Sequence, residues 1–378
     1  MLGLVSLFMD ISSELIHSLL PVFMVTGLGA TMLMVGIVEG VAEATASIAK
    51  VFSGAISDYL GRRKGLTVLG YGLGALSKPL FALALTVHWV FVARFMDRIG
   101  KGIRGAPRDA LIADLTAPEI RGAAYGLRQS LDTVGAFIGP LLAVGLMVLW
   151  AGDFRAVFWF AVIPAVISVL ILVFGVQEPR TAAVRHKFSS PLHWGTLGEL
   201  SRSYWWVVTA GGVFTLARFS EAFLILRAQQ LGLADAYTPL VLVVMNVVFA
   251  MSAYPFGKLA DRMSHQTLLI AGLAVLVAAD LVLAHAQGLA MVAAGVILWG
   301  LHMGMTQGLL ATMVAATAPA HLRGTAFGFF NLASGVAMLI ASVLAGLLWD
   351  KLGPATTFYA GAAFSVLALI MLLLRRRS

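Results

Sequence analysis

The chain is predicted to be an all-α integral membrane protein, with twelve transmembrane helices arranged as two pseudo-symmetric six-helix bundles. Three observations predict this. Of its 378 residues, 60% are hydrophobic and only 12% charged, with mean hydropathy +0.92, whereas soluble domains carry about 25% charged residues. Apolar stretches long enough to span a bilayer recur between short polar breaks. The two halves of the chain also repeat one another, and a substrate path between repeated bundles is a transporter architecture.

In order, the spans fall at about 3–25, 33–57, 66–85, 88–114, 120–149 and 155–176, then 204–230, 236–260, 266–285, 289–316, 322–348 and 355–374. Residues 1–176 form the first bundle and 204–378 the second. The linker between them, 177–203, is polar and rich in Arg, His, Lys, Ser and Pro. Asp10 and Glu14 interrupt the first apolar run and no basic stretch precedes it, so a cleaved signal is not expected. One side of the predicted membrane collects Arg62, Arg63, Lys64, Arg121, Arg180, Arg202, Lys258, Arg262 and Arg323, whereas the other holds little beyond Arg155 and Lys351. Basic loops stay in the cytoplasm, which places both termini and the linker there and the protein in a bacterial inner, or plasma, membrane. The net charge of +8 is assigned to that face and not to nucleic acid. There are no cysteines, so disulfide, thiolate–metal and cysteine-nucleophile chemistry are excluded.

The repeat is visible at an offset of about 202 to 207 residues. Gly54-Ala-Ile-Ser-Asp58 after span 2 matches Gly257-Lys-Leu-Ala-Asp261 after span 8. Arg121-Gly-Ala-Ala-Tyr125-Gly126 opening span 5 matches Arg323-Gly-Thr-Ala-Phe327-Gly328 opening span 11. Ser13-Glu14 in span 1 pairs with Ser220-Glu221 in span 7.

These motifs resemble the major facilitator superfamily, and the resemblance covers the whole chain. Gly54 to Lys64 is similar to its loop signature G-x-L-x-D-x-x-G-R-R-K, with Ile56 for Leu. Gly126, Gly135, Gly139 and Pro140 follow the G-x8-G-x3-G-P pattern that marks proton-linked exporters in this superfamily, although its trailing glycine pair is Ala143-Val144 here. Arg98 with Gly102 resembles the span 4 signature R-x-x-Q-G, with Lys101 in place of Gln. The resemblance implies a gate built from Gly54, Asp58, Gly61, Arg62 and Arg63 with Asp114, and from Asp261 and Arg262 in the second copy. It also implies that spans 1, 2, 4 and 5 face the substrate path while 3 and 6 lie outside. Physically, Asp58 near the start of span 3 would complement free N–H groups there. The arginines also fit simple positive-inside topology. The glycines allow close helix approach and Pro140 a kink.

Ionisable side chains inside a span are functional candidates by default. In span 1, Asp10, Glu14 and His17 share one face. In span 2, Glu39, Glu43 and Lys50 lie within about 40° of one another, and Arg121, Arg128 and Asp132 align likewise in span 5. In span 4, Arg94, Asp97, Arg98, Lys101, Arg104, Arg108 and Asp109 fall within an arc of about 140°. The second half is poorer, with Arg218, Glu221, Arg227, Asp280 and His302. Part of this set forms static ion pairs and the rest titrates or touches substrate. Proton coupling is assigned to Asp10, Glu14, Arg98, Glu39, Glu43 and Asp132, with Asp10 and Glu14 exchanging partners at Arg98. Substrate binding is assigned to Arg94, Arg98, Lys101, His17, Arg218, Glu221 and His302, because guanidinium groups bind carboxylate and phosphate in a fork. Arg218 and Glu221 are expected to pair at i, i+3.

Gly100-Lys101-Gly102-Ile103-Arg104-Gly105 fits G-x-G-x-x-G formally, but no strand precedes it and no βαβ unit is present. No P-loop, no His-Glu-x-x-His and no metal cluster is visible, so no enzyme is expected. The expected function is proton-coupled efflux of a small organic solute by alternating access, with no cofactor beyond the proton gradient. Substrate, protons and the lipid bilayer are the expected partners of a monomer. The alternatives are an uptake symporter or exchanger for an organic anion, which the basic stripe of span 4 favours, and a non-transporting receptor or assembly subunit.

Overall fold

The computed structural model describes residues 1–60, 63–178, 194–319 and 322–375, and among these there are helices and no strands. In chain order the first bundle contains α1 (Leu2–Gly27), α2 (Met32–Leu60), α3 (Arg63–Ala82), α4 (Val87–Leu115), α5 (Arg121–Leu149) and α6 (Phe154–Gly175). The second contains α7, in two pieces (Arg202–Leu216 and Ala222–Gln230), then α8 (Leu240–Ala260), α9 (His265–Ala284), α10 (Leu289–Thr317), α11 (Arg323–Leu352) and α12 (Pro354–Arg375).

Local sequence explains many of the ends. Thr86, Asp153, Ser201 and Ser264 each accept a hydrogen bond from a backbone N–H of the first turn that follows them, which starts α4, α6, α7 and α9. Gly308, at φ +73°, interrupts α10. Among the described residues, nine helices are long and apolar enough to cross a membrane. The exceptions have physical causes: α3 is diluted by glycines and Lys78, α4 carries the charged stripe, and α7 is broken.

The two bundles use the same packing scheme. In the first, α1 lies on α5 and α6, α4 on α2 and α3, and α3 on α6. In the second, α7 lies on α11 and α12, α10 on α8 and α9, and α9 on α12. Between bundles, α2 runs along α11, and α5 meets α8 over a shorter length. The long seam lies toward the end opposite the termini, here called the far end. There Gly346 is pressed against the Met32 carbonyl and Gly36 against the Ser342 carbonyl, and a Cβ on Gly40 would sit 3.1 Å from Leu339 Cα. Asp350 ends the seam by accepting hydrogen bonds from Met32 N (3.0 Å) and Leu33 N (2.8 Å). The start of α1's last segment, Leu20–Val22, also packs on Ala222–Gln230 of α7. The bundles are thus joined at the far end and part toward the terminus end, where a cavity opens between them.

Candidate functional site

The site is built around α4. Its charged stripe faces inward, and Arg94, Asp97 and Arg98 are each only 2% exposed. Burial at this depth requires partners, and neighbouring helices supply them. Arg94 Nη2 donates to Glu39 Oε2 of α2 at 2.7 Å, and Arg98 Nη1 stands 3.3 Å from Glu43 Oε1. Asp97 accepts from Lys78 Nζ of α3 at 2.7 Å, and that lysine also donates to Ser13 Oγ at 3.0 Å. His17 joins two carboxylates, with Nδ1 3.4 Å from Glu14 and Nε2 3.4 Å from Glu39. Nearer the terminus end, Arg128 pairs with Asp132 at 2.6 Å, and Arg108 bridges Asp109 and Ser6, at 3.0 Å each. Arg104 lies 4.7 Å over the Tyr71 ring and leaves Nη1 without a hydrogen-bond partner.

Two adjoining spaces, of about 440 and 280 Å³, lie between the bundles and share Glu14, Glu43, Lys101, Ala136 and Asn246. The larger opens past Asp10, Lys50 and Arg104 toward the terminus end. The deeper one reaches His17 and Glu39 and is closed by Arg218, Phe219, Glu221 and Trp299 from the second bundle. Among the described residues, Lys50, Lys101 and Arg218 line this space with no carboxylate within 4 Å, and Asp10 has no cation within 4 Å. A charged solute therefore meets free cations and a free carboxylate side by side.

Several sequence expectations take a different form. Arg98 engages Glu43, while Glu14 is held by His17 and Asp10 by no cation, so the exchange of Asp10 and Glu14 at Arg98 is not the arrangement seen. Arg94 is locked on Glu39 and lines neither space, which suits a scaffold more than a substrate contact. Arg218 and Glu221 make no pair, because α7 is non-helical between its two pieces and the i, i+3 geometry does not exist there. His302 is fully buried with Nδ1 2.8 Å from the Gly272 carbonyl, so it points into α9 and away from the cavity. Lys78 shows that α3 takes part in the charge network despite its outer place.

At the terminus end Arg63 lies 3.0 Å from Asp114 and 3.8 Å from Asp58. Asp58 ends α2 rather than starting α3; the first N–H groups of α3, at Arg63 and Lys64, donate to Glu178 Oε1 at 2.6 and 3.2 Å. Sequence reading missed Glu178, since only the folded chain brings the end of α6 to that place. Gly61 and Arg62 lie outside the described residues. Asp261 and Arg262 are exposed. Gly54 has only Ala106 near it. In α5, Gly135 and Gly139 take the α1 backbone at Leu7 and Ile11 together with Asp10 Cβ and Glu14 Cβ, and Pro140 is buried beside them, whereas Gly126 faces open space and packs nothing.

The family model described as Major Facilitator Superfamily matches residues 2–342 and again 222–378. A curated MFS-type transporter of Methanocaldococcus jannaschii is 28% identical over 99% of this chain and 93% of its own length. Multidrug resistance protein MdtH of Salmonella newport is 24% identical over 89% of this chain and 82% of its own. Among solved structures, nucleoside transporter NupG superposes with TM-score 0.81 at 11% identity, covering 100% of this chain and 98% of that one. The human organic anion transporter MFSD10 superposes with TM-score 0.67 at 18% identity, over 98% of each chain.

Proposed function

The chain belongs to the major facilitator superfamily and is a multi-pass membrane transporter, and from that premise we propose that it exports a small anionic or zwitterionic organic solute in exchange for protons. The observation that carries this reading is the cavity between the bundles, where unpaired Lys101, Lys50 and Arg218 stand beside Asp10 and Glu14. The basic terminus end is assigned to the cytoplasm, so the cavity faces the cytoplasm and the monomer is ready to load. An anionic group reaching Lys101 from the first bundle and Arg218 from the second draws the two bundles together. Asp10 and Glu14 share that space, so the cationic end of a zwitterionic solute and a proton compete for these carboxylates. After the far end opens, protonation of these carboxylates releases the cationic end of a zwitterionic solute. The name of the MdtH relative supports efflux, and the direction remains part of the proposal.

The test uses everted membrane vesicles or proteoliposomes under an imposed proton gradient. Efflux should follow the gradient, and Glu14→Gln should abolish it in a protein that still folds. Efflux that continues after the gradient collapses would overturn the reading. A second reading, uptake of an organic anion by symport or exchange, is favoured by the surplus of unpaired cations in the cavity. Accumulation in right-side-out rather than inside-out vesicles would select it.

A further inference from the structure

We infer that Asp280 is a proton-binding site of the second bundle, separate from the carboxylates of the central cavity. α9 buries Asp280 completely, and among the described residues neither carboxylate oxygen has a hydrogen-bond donor. Gly361 of α12 makes the room: a Cβ there would sit 2.7 Å from Asp280 Oδ2 and 3.0 Å from the Phe219 ring. Phe219 in turn packs tilted against Trp299 and edge-on against Phe358, at 5.4 and 5.6 Å between ring centres. An ionised carboxylate in an aromatic pocket without a donor is far less stable than the neutral acid.

The internal repeat shows how this group came to stand alone. Gly70 and Gly272, about 202 residues apart, occupy equivalent places, the first against Arg104 of α4 and the second against Thr306 of α10. The same offset carries Lys78 onto Asp280 and Asp97 onto Trp299. In the first bundle this position is neutral because Lys78 and Asp97 are paired at 2.7 Å. In the second, an acid stands in place of the cation and an indole in place of the acid. Trp299 Nε1 is itself buried and unpartnered. A bound proton leaves the pocket without net charge.

Among the described residues, no neighbouring element supplies a counter-charge. α7 carries Arg218 and Glu221 on either side of Phe219, and both line the central cavity. α10 carries His302, whose Nδ1 is committed to the Gly272 carbonyl. α12 offers Thr357, which donates to the Ala345 carbonyl, and Ser365, whose hydroxyl is unpartnered. α9 has no other ionisable group between His265 and His285. Among the described residues, no cation lies within 4 Å of Asp280. Phe219 and Trp299 both line the cavity, so Asp280 is one aromatic layer from it. Phe219 also belongs to the break in α7, so its movement is what admits or releases the proton. This last step rests on the transport reading; occupancy by a proton does not.

The experiment is infrared spectroscopy of the purified full chain in lipid nanodiscs, with the proton as probe. The carbonyl stretch of a protonated carboxylic acid should be present at neutral pH, shift in heavy water, vanish in Asp280→Asn and persist in Glu14→Gln. Asp280→Asn should fold, and wild type should lose thermal stability relative to it as pH rises, because the folded protein keeps a proton that the unfolded chain gives up. A band that survives Asp280→Asn overturns the proposal. So does an Asn variant that fails to fold while Asp280→Glu folds without the band, since the charge would then be structural. Thermal protection of wild type, and not of Asp280→Asn, by sodium ions would also overturn it in favour of a metal cation. Loss of efflux in Glu14→Gln with the Asp280 band intact keeps the two readings distinct.

Discussion

Removing the Asp350 carboxylate should release the far end of the transporter. Asp350 sits at the end of α11 and caps α2 across the bundle interface through two backbone N–H groups, at 3.0 and 2.8 Å. Loss of a helix-capping carboxylate costs about 0.5–2 kcal/mol, and a hydrogen bond to a charged group contributes about 1.5–3 kcal/mol. The site is exposed, so water recovers much of this, and a net effect of about 1.4 kcal/mol is expected, about tenfold in an equilibrium. The capping contact exists only while the far end is shut, so the loss moves the closed-to-open ratio by that factor. Asp350→Ala can be read by pulsed electron resonance between spin labels at Leu85→Cys and Gln287→Cys. Both positions are exposed in far-end loops, and the chain has no cysteine of its own to interfere. A longer-distance population should grow in Asp350→Ala and grow less in Asp350→Asn, which retains one acceptor oxygen. An unchanged distance distribution in Asp350→Ala would refute the reasoning.

Other substitutions separate scaffold from function. Glu39→Gln strips Arg94 of its partner in a pocket only 1–2% exposed, so the melting temperature should fall by the equivalent of about 3–5 kcal/mol, and Glu39→Gln with Arg94→Met should recover most of it. Lys101→Met removes no ion pair; it should leave thermal unfolding within about 0.5 kcal/mol of wild type and raise KM for solutes bearing a carboxylate or phosphate, measured in vesicle transport. Gly135→Leu should destabilise by about 1–3 kcal/mol in thermal unfolding, since even its Cβ would lie 2.9 Å from both the Leu7 carbonyl and Asp10 Cβ.

The sequence carries the helices, the repeat and the inward face of α4, because each depends on residues close together in the chain. Spacing alone puts Asp10, Glu14 and His17 on one side of α1. It cannot say that His17 bridges to Glu39, or that Lys78 reaches Asp97, because those pairs cross between helices. The break in α7 is harder still. Ala217-Arg218-Phe219-Ser220 contains neither Gly nor Pro, and the interruption is held from outside, where Ser342 Oγ accepts from Ser220 N at 3.2 Å. His302 was legible as a buried ionisable group but not as one turned toward α9. Which end of the protein is closed also escapes the sequence, since one chain must support both arrangements with small differences in free energy.

The seam between α2 and α11 has a consequence for energy conservation. Gly36, Gly40 and Gly346 bring α2 and α11 backbone against backbone, leaving no room for a Cβ between these two helices at those positions. A proton in the cavity meets this seam as a wall. Substituting alanine at Gly36 would hold the helices a methyl group apart. Proteoliposomes carrying Gly36→Ala should then dissipate an imposed pH gradient without any solute present, which turns a carrier into a short circuit.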